Sequence, residues 1–408
     1  MFINLVMEAC SSLRGAAQTL ALMSPWLPGE EQMPTAATGQ SWLLRMGLYA
    51  IEQKKPRAND WAWIVDHTIQ LGRHKVLLLV GVRLGQWQKR RRPLEHHDLK
   101  MLLLEPTTHS TGEVVQQQLQ QAVTKTGPPR MILSDGGPDL KRGIELFCQD
   151  YEQTAAVSDI KHQVACQIKR ELNGNVRWNA FLHSTNEAKT AIRQTELAHL
   201  MPPPPHMKAR FMNADGFVTW GSKTLRYLQQ CQSQGAEQLP RLQEKLGWLL
   251  KFGKDLAQWE EMLQVVTTVL EYIRQEGYYP EAAENLAHQL PRSTSVTPAG
   301  RVAKALLEFV QRQSEVAHPG EHLLASSEVL ESLIGKGKRL QGQHQKGGIT
   351  KMILSTAAAV LTPTLETVQK ALTTIKTHDV ITWAHQKLGP SLTTQRRLAY
   401  AHNGTKTG

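Results

Sequence analysis

Three acids stand out because each falls where an element of regular structure should carry or end on it: Asp66, Asp135 and Glu331. Asp66 lies in the β-rich run 60–70, DWAWIVDHTIQ. Asp135 follows the apolar stretch 130–134 in RMILSDGG. Glu331 opens the helical run SSEVLESLIGKGKRL, with Lys338 seven residues on. Converging carboxylates are what two-metal phosphodiester chemistry requires, since two Mg²⁺ ions ~3.5–4 Å apart must be held and neutralised. Magnesium takes oxygen ligands and keeps waters, so three carboxylates suffice.

Each acid also has a plainer reading. On a strand, Asp66 faces the same way as Ile64 and Thr68, with Val65 and His67 opposite. An aspartate so placed in a central strand is costly unless paired or metal-bound. Singly, Asp135 reads equally well as a solvated strand end before an ordinary turn at Gly136-Gly137. The joint placement of the two favours chemistry. On the late helix, Leu330, Leu333 and Ile334 form the apolar stripe. Glu331, Gly335 and Lys338 follow a neighbouring line, because seven residues return within about 20° of the start. That line would offer a phosphate backbone a flat approach with a cation at one end. A surface Glu–Lys face is the bland account, and Glu328 competes for the ligand role.

The elements that must position these residues can be read from pattern. At 408 residues and 41% apolar content the chain can hold one large core or two to three smaller units, and wholesale disorder is ruled out. Residues 1–58 read as helical, with a break between two helices. A helix-turn-helix is one reading, against which stand a long connection (24–33) and few basic residues; a structural helical cap is the other. Strands follow at 60–70, 75–82 and 100–104, with a turn at 71–73 and a basic loop at 88–93. A helix capped by Ser110 or Thr111 comes next, then strand 130–134, a helix near 139–148, strand 154–158 and a helix from 160 to 172. The order β-β-β-α-β-α-β-α implies three antiparallel strands and two more added through helical crossovers.

About 150 residues separate this block from the helix of Glu331. They are mostly helical in pattern, interrupted by the tetraproline of 201–206, which no helix continues through, and by 216–221 (GFVTWG). The boundaries expected are 1–58 for the N-terminal helical segment, 59–172 and 320–375 for the two parts of a catalytic core, and 173–319 for a helical insertion. Residues 376–408 form a C-terminal helix and a loose tail from 389.

These segments resemble a DDE transposase of a bacterial insertion sequence. The resemblance rests on IVDHT, ILSDGGPDLKRGI, SDIKHQVACQIKREL and SSEVLESLIGKGK, and covers roughly 59–172 and 320–375. It implies an α/β, RNase H-like mixed five-stranded sheet flanked by helices, interrupted by a large insertion. It also implies that Asp66, Asp135 and Glu331 are catalytic and hold Mg²⁺ or Mn²⁺, and that Lys338 contacts DNA. Family members often carry Asn three residues before the glutamate, where this chain has Glu328, and a more basic N-terminal domain. Related enzymes have a Cys/Asp-x-x-His element after the fifth strand, matched here by Asp159-Ile160-Lys161-His162. His162 is then a candidate for the scissile phosphate or for bracing Asp135, a buried hydrogen-bonded histidine being the alternative. A metal site at His162 and Cys166 has no further soft ligands nearby.

A formal charge of +11, from 47 basic against 36 acidic residues, suits a polyanionic partner. Three basic tracks are candidates: 89–92; Lys161, Lys169 and Arg170; and Lys336, Lys338 and Arg339 with Lys346 and Lys351. Trp178, Trp248 and Trp259 read as core by helical spacing. Trp220, set in a glycine-bounded loop, is a candidate for stacking on an unpaired base. Four scattered cysteines (Cys10, Cys148, Cys166, Cys231) argue against a disulfide framework or structural zinc and fit a reducing compartment. The N-terminus shows no leader pattern and no apolar run reaches ~18 residues, so a soluble cytoplasmic, nucleoid-associated protein is expected.

The function expected is metal-dependent cleavage at transposon ends and strand transfer into target DNA. The partners would be double-stranded DNA (terminal inverted repeats and target) and a second copy of the chain in a synaptic dimer. Two other classes fit the same residues: a catalytically inactive DNA-binding derivative, and a junction or repair nuclease.

Overall fold

The computed structural model describes residues 1–26, 32–71, 74–90, 93–204, 214–291, 294, 296–342, 349–390 and 392–403. Gly72, Arg73, Arg91, Arg92, His206 and Lys346, on which parts of the turn, basic-track and tetraproline readings fall, lie outside them. The chain divides into two compact units, 1–159 with 323–408, and 160–322.

The first unit is built on one five-stranded sheet: β1 (Trp61–Leu71), β2 (His74–Arg83), β3 (Lys100–Thr107), β4 (Met131–Ser134) and β5 (Ala155–Ser158), in the order β3-β2-β1-β4-β5. The first three strands are antiparallel, and β4 and β5 join parallel to β1. This mixed sheet, flanked by helices, is compatible with an RNase H-like fold. Near-continuous burial of Val76–Val82, broken by no polar side chain, reflects cover on both faces of β2. One face packs Trp61, Trp63, Val65, Leu77 and Leu79 under two helices, Gly112–Thr126 and Pro138–Asp150, through Val115, Leu119, Ile144 and Phe147. Thr111 caps the first of these by accepting from Val114 N.

The N-terminal helices are Phe2–Met7, Leu13–Met23 and Ala36–Glu52. Among the described residues the third of these offers no face for DNA recognition. A recognition helix needs an exposed face, yet Leu43, Leu44 and Met46–Ile51 are buried, and Arg45 between them donates to the carbonyl oxygens of Leu372 and Ile375. At Gly47 a Cβ would sit 2.0 Å from the Leu354 carbonyl oxygen, so the helix lies hard against the C-terminal part of the unit. Residues 88–93 are not simply a loop either: Lys89 and Arg90 end a helix, Leu84–Arg90, and Arg90 pairs with Asp98. The C-terminal stretch 389–408 contains a further helix, Leu392–Asn403, exposed along 395–401.

The second unit is helical and begins at Ile160, so the helix Ile160–Leu172 belongs to it, packed with Pro298–Ser314 and Gly253–Glu276. Its core gathers aromatic rings: Trp178 meets Trp259 edge-on at 4.9 Å, and Phe181 lies 5.5 Å from Phe252. The segment 216–221 is not a loop. The helix Ala214–Gln234 runs straight through it, burying Phe217, Val218, Gly221, Leu225 and Leu228. Gly221 is there for close approach, since a Cβ would meet Leu256 at 2.9 Å and Phe181 at 3.0 Å. Glycine thus signals packing at this position, not a break.

Candidate active site

Parallel register sets two of the acids side by side. The β1–β4 ladder ends at Val65↔Ser134, and the next residues are Asp66, still within β1, and Asp135, the first after β4. Beyond Asp66 the β1–β2 register shifts between His67 and Ile69, a bulge that bends the strand just after the acid. At the end of β4 the chain turns through Gly136, whose φ of +85° suits glycine. Asp135 Oδ1 accepts from Gly137 N at 3.1 Å and so folds its carboxylate over the turn.

Alternation places the neighbours. Val65 belongs to the packed face of the sheet and Asp66 to the other, where the helix Glu328–Gln341 contacts β1. That helix buries Val329, Leu330, Leu333, Ile334, Gly337 and Gln341. Glu331, Gly335 and Lys338 all lie on its exposed side. A Cβ at Gly335 would meet nothing within 4 Å, whereas at Gly337 it would stand 2.1 Å from Thr356 Oγ1. Gly337 is therefore the residue that lets the helix seat.

The electrostatics tie the acids together. Burial first, then the negative charge of Asp135, pushes the Asp66 carboxyl up to about 7. A backbone hydrogen bond from His67 opposes this, Glu331 adds to it, and Lys338 lowers it. Glu331 is among the charges acting on Asp66. Glu328 instead lines, with Ser332 and Lys336, a cavity of about 730 Å³ along a neighbouring row of the helix. Among the described residues, no three His, Cys, Asp or Glu side chains stand close enough together to hold a metal ion.

Behind the carboxylates a polar group braces the turn. Asp139 Oδ2 accepts from Ser110 Oγ at 2.6 Å and Lys75 Nζ at 3.1 Å, and lies 3.6 Å from His67 Nδ1. Burial works to raise the Asp139 carboxyl, but the Ser110 and Lys75 hydrogen bonds outweigh it and hold it at about 2. The Ser110 hydroxyl also meets His67 Nε2 at 3.2 Å, and burial chiefly lowers the imidazole pKa. The serine proton is committed to Asp139, so this is not a nucleophilic serine awaiting a base. Sequence gives no hint of it beyond the turn residues, because its members come from β1, β2, the loop before Thr111 and the helix after Gly137.

The remaining sequence candidates divide. Lys336 is half-buried and paired with Glu8 at 3.3 Å, and the charge of Arg339, like that of Lys336, acts on His96. Of the three, Lys338 acts on Asp66. Lys161 and His162 open the first helix of the helical unit, and Trp220 is held there, its indole donating to the Leu200 carbonyl at 2.8 Å. Within the 159–162 element Asp159 reaches the carboxylate-bearing helix, accepting from Ser327 N and Oγ.

No protein-family model matches the chain, and no curated protein does. Among solved structures, the Drosophila P element transposase strand transfer complex is similar at 11% identity and a TM-score of 0.39, over 90% of this chain and 96% of that one. A likeness of that size carries no argument about fold or function. No described helix is long and apolar enough to cross a membrane.

Proposed function

We propose that the chain is a DNA transposase of the DDE type, cutting phosphodiester bonds at element ends and joining the freed 3′-hydroxyl to target DNA. The observation that carries this is the shared field at Asp66. Two acids follow the last paired residues of adjacent parallel strands, a third on a late helix adds its charge, and burial together with that repulsion lifts one carboxyl to about 7. Carboxyls perturbed by burial together with a like charge cluster at functional sites.

The donor set fits a hard divalent cation: Asp66, Asp135 and Glu331 offer only carboxylate oxygens. Because among the described residues no three such side chains stand within ligating reach of one another, binding would have to draw these carboxylates together. When bound, a metal pair would activate water or a 3′-hydroxyl and stabilise the leaving oxygen. The chain's own residues set the stage. The Asp135 turn, braced through Asp139, fixes one carboxylate, and β1 fixes the second. Exposed Gly335 leaves the face beside Glu331 open, and Lys338 would meet a phosphate there. Trp220 has no place in this reading. Neither do Lys336 and Arg339, while Lys161 and His162 stay candidates for DNA contact.

The test is joining, not cleavage alone. Purified protein with Mg²⁺ or Mn²⁺ and a duplex carrying the element's terminal repeat should yield covalent joining to an unrelated duplex, as two copies hold two ends. Metal-dependent cutting without joining would favour a nuclease, and DNA binding without either reaction an inactive derivative.

A further inference from the structure

We infer that Asp159 is a positioning residue for Glu331, pinning the start of the glutamate-bearing helix to the end of β5. The inference rests on the DDE reading above. Asp159 directly follows β5 and is 2% exposed. Its backbone N–H donates to the Ser134 carbonyl at 3.0 Å, extending the β4–β5 ladder by one bond at the residue before Asp135. Its carboxylate Oδ2 accepts from both the backbone N–H and the hydroxyl of Ser327, the latter at 2.7 Å. Ser327 is the residue that begins the helix Glu328–Gln341, and its carbonyl takes the N–H groups of Leu330 and Glu331. One residue thus grips the strand end of one acid with its backbone and the helix start of another with its side chain.

The chemistry of the contact explains the arrangement. A buried carboxylate is costly unless its oxygens find donors, and two donors from one residue satisfy Oδ2 directionally. Ser327 spends its hydroxyl on Asp159 instead of capping its own helix, and Ser326 Oγ accepts from Glu328 N at 3.3 Å in its place. A helix start released from β5 is free to fray, and Glu331 lies within its first turn.

Hydrogen exchange on the full chain, without DNA, tests the pin apart from the proposed function. Asp159→Ala should make the amides of residues 327–331 exchange about tenfold faster or more, with the sheet peptides unchanged. Asp159→Asn, which keeps an acceptor in the same volume, should restore most of the protection, and Ser327→Ala should show a smaller loss. Unchanged exchange in Asp159→Ala, or a loss spread equally over the sheet and over Asp159→Asn, would overturn the inference. In the joining assay Asp159→Ala should lower kcat with KM for DNA little changed, again rescued by Asp159→Asn. A lowered affinity with kcat intact would count against positioning. Failure of the wild-type chain to join DNA would overturn the DDE reading, while the exchange result would still judge the pin.

Discussion

Asp66 and Asp135 each stand one residue beyond the last paired residues, Val65 and Ser134, of two parallel central strands. Strand pairing thereby delivers two carboxylates to the same end of the β1–β4 pair. The neighbouring charge is costly in the metal-free chain, and that cost has measurable signs.

Asp66 should make stability depend on pH. Its carboxyl ionises at about 7 in the fold against an ordinary 3.8, so the folded chain binds the proton more tightly than the unfolded one. Stability is then lost as pH rises between those values, and the loss is complete above about 7. In chelator, Asp66→Asn should be more stable than the wild type at pH 8, by on the order of 1–3 kcal/mol, and no more stable below pH 4. Thermal melts at both pH values check this, and equal melting temperatures at pH 8 would mean that burial and the neighbouring charge do not raise the Asp66 carboxyl. Added Mg²⁺ should raise the wild-type melting temperature and close the gap.

The two glycines of the late helix should respond in opposite ways. Gly337→Ala puts a methyl against Thr356 and should destabilise by about 1–3 kcal/mol, the usual range for overpacking. Gly335→Ala enters open space and should gain up to ~1 kcal/mol of helix propensity. Denaturant midpoints decide it. A tolerated Gly337→Ala would show that the helix is not seated on Thr356.

Glu331→Gln should cost as much activity as either aspartate change, whereas Glu328→Gln should be mild. Glu331 acts on Asp66, while Glu328 turns to the cavity shared with Ser332 and Lys336. Joining rates of the two variants compare them directly, and a reversed order would transfer the ligand role to Glu328.

Lys338→Ala should weaken DNA binding and reduce the slope of log K against log salt by roughly 0.9, the loss of about one displaced counterion. Lys336→Ala should leave the slope alone, since Lys336 already pairs with Glu8. Binding to a terminal-repeat duplex at several salt concentrations gives both numbers. If only Lys336 changed the slope, the DNA path would run along the wrong row of the helix.

What sequence shows here, and what it hides, follows from the range of the interactions involved. Alternation and apolar runs reveal β1 to β5 and their order, because strand burial is written into consecutive residues. The caps and turns around Thr111 and Gly136 are equally local. The same periodicity places Glu331 beside Lys338 on one exposed face. Long-range contacts leave no such trace. Nothing local says that Leu43–Ile51 is core and not a recognition helix, since the partner is Leu354 and its neighbours. Gly221 reads as a break until Phe181 and Leu256 are seen pressing on it. Ser327 stands 168 residues from Asp159, and no pattern joins them.

Strand joining by Asp66→Asn and Asp135→Asn is the most direct test of the account. Each change removes one ligand charge at nearly constant volume, and metal stabilisation of the transition state is worth several kcal/mol. Every 1.36 kcal/mol is tenfold in rate, so joining in Mg²⁺ should fall by about 10³-fold or more in each variant. Folding and terminal-repeat binding should stay near wild type. Joining at a near wild-type rate by either variant would contradict the assignment of these two acids as the catalytic pair.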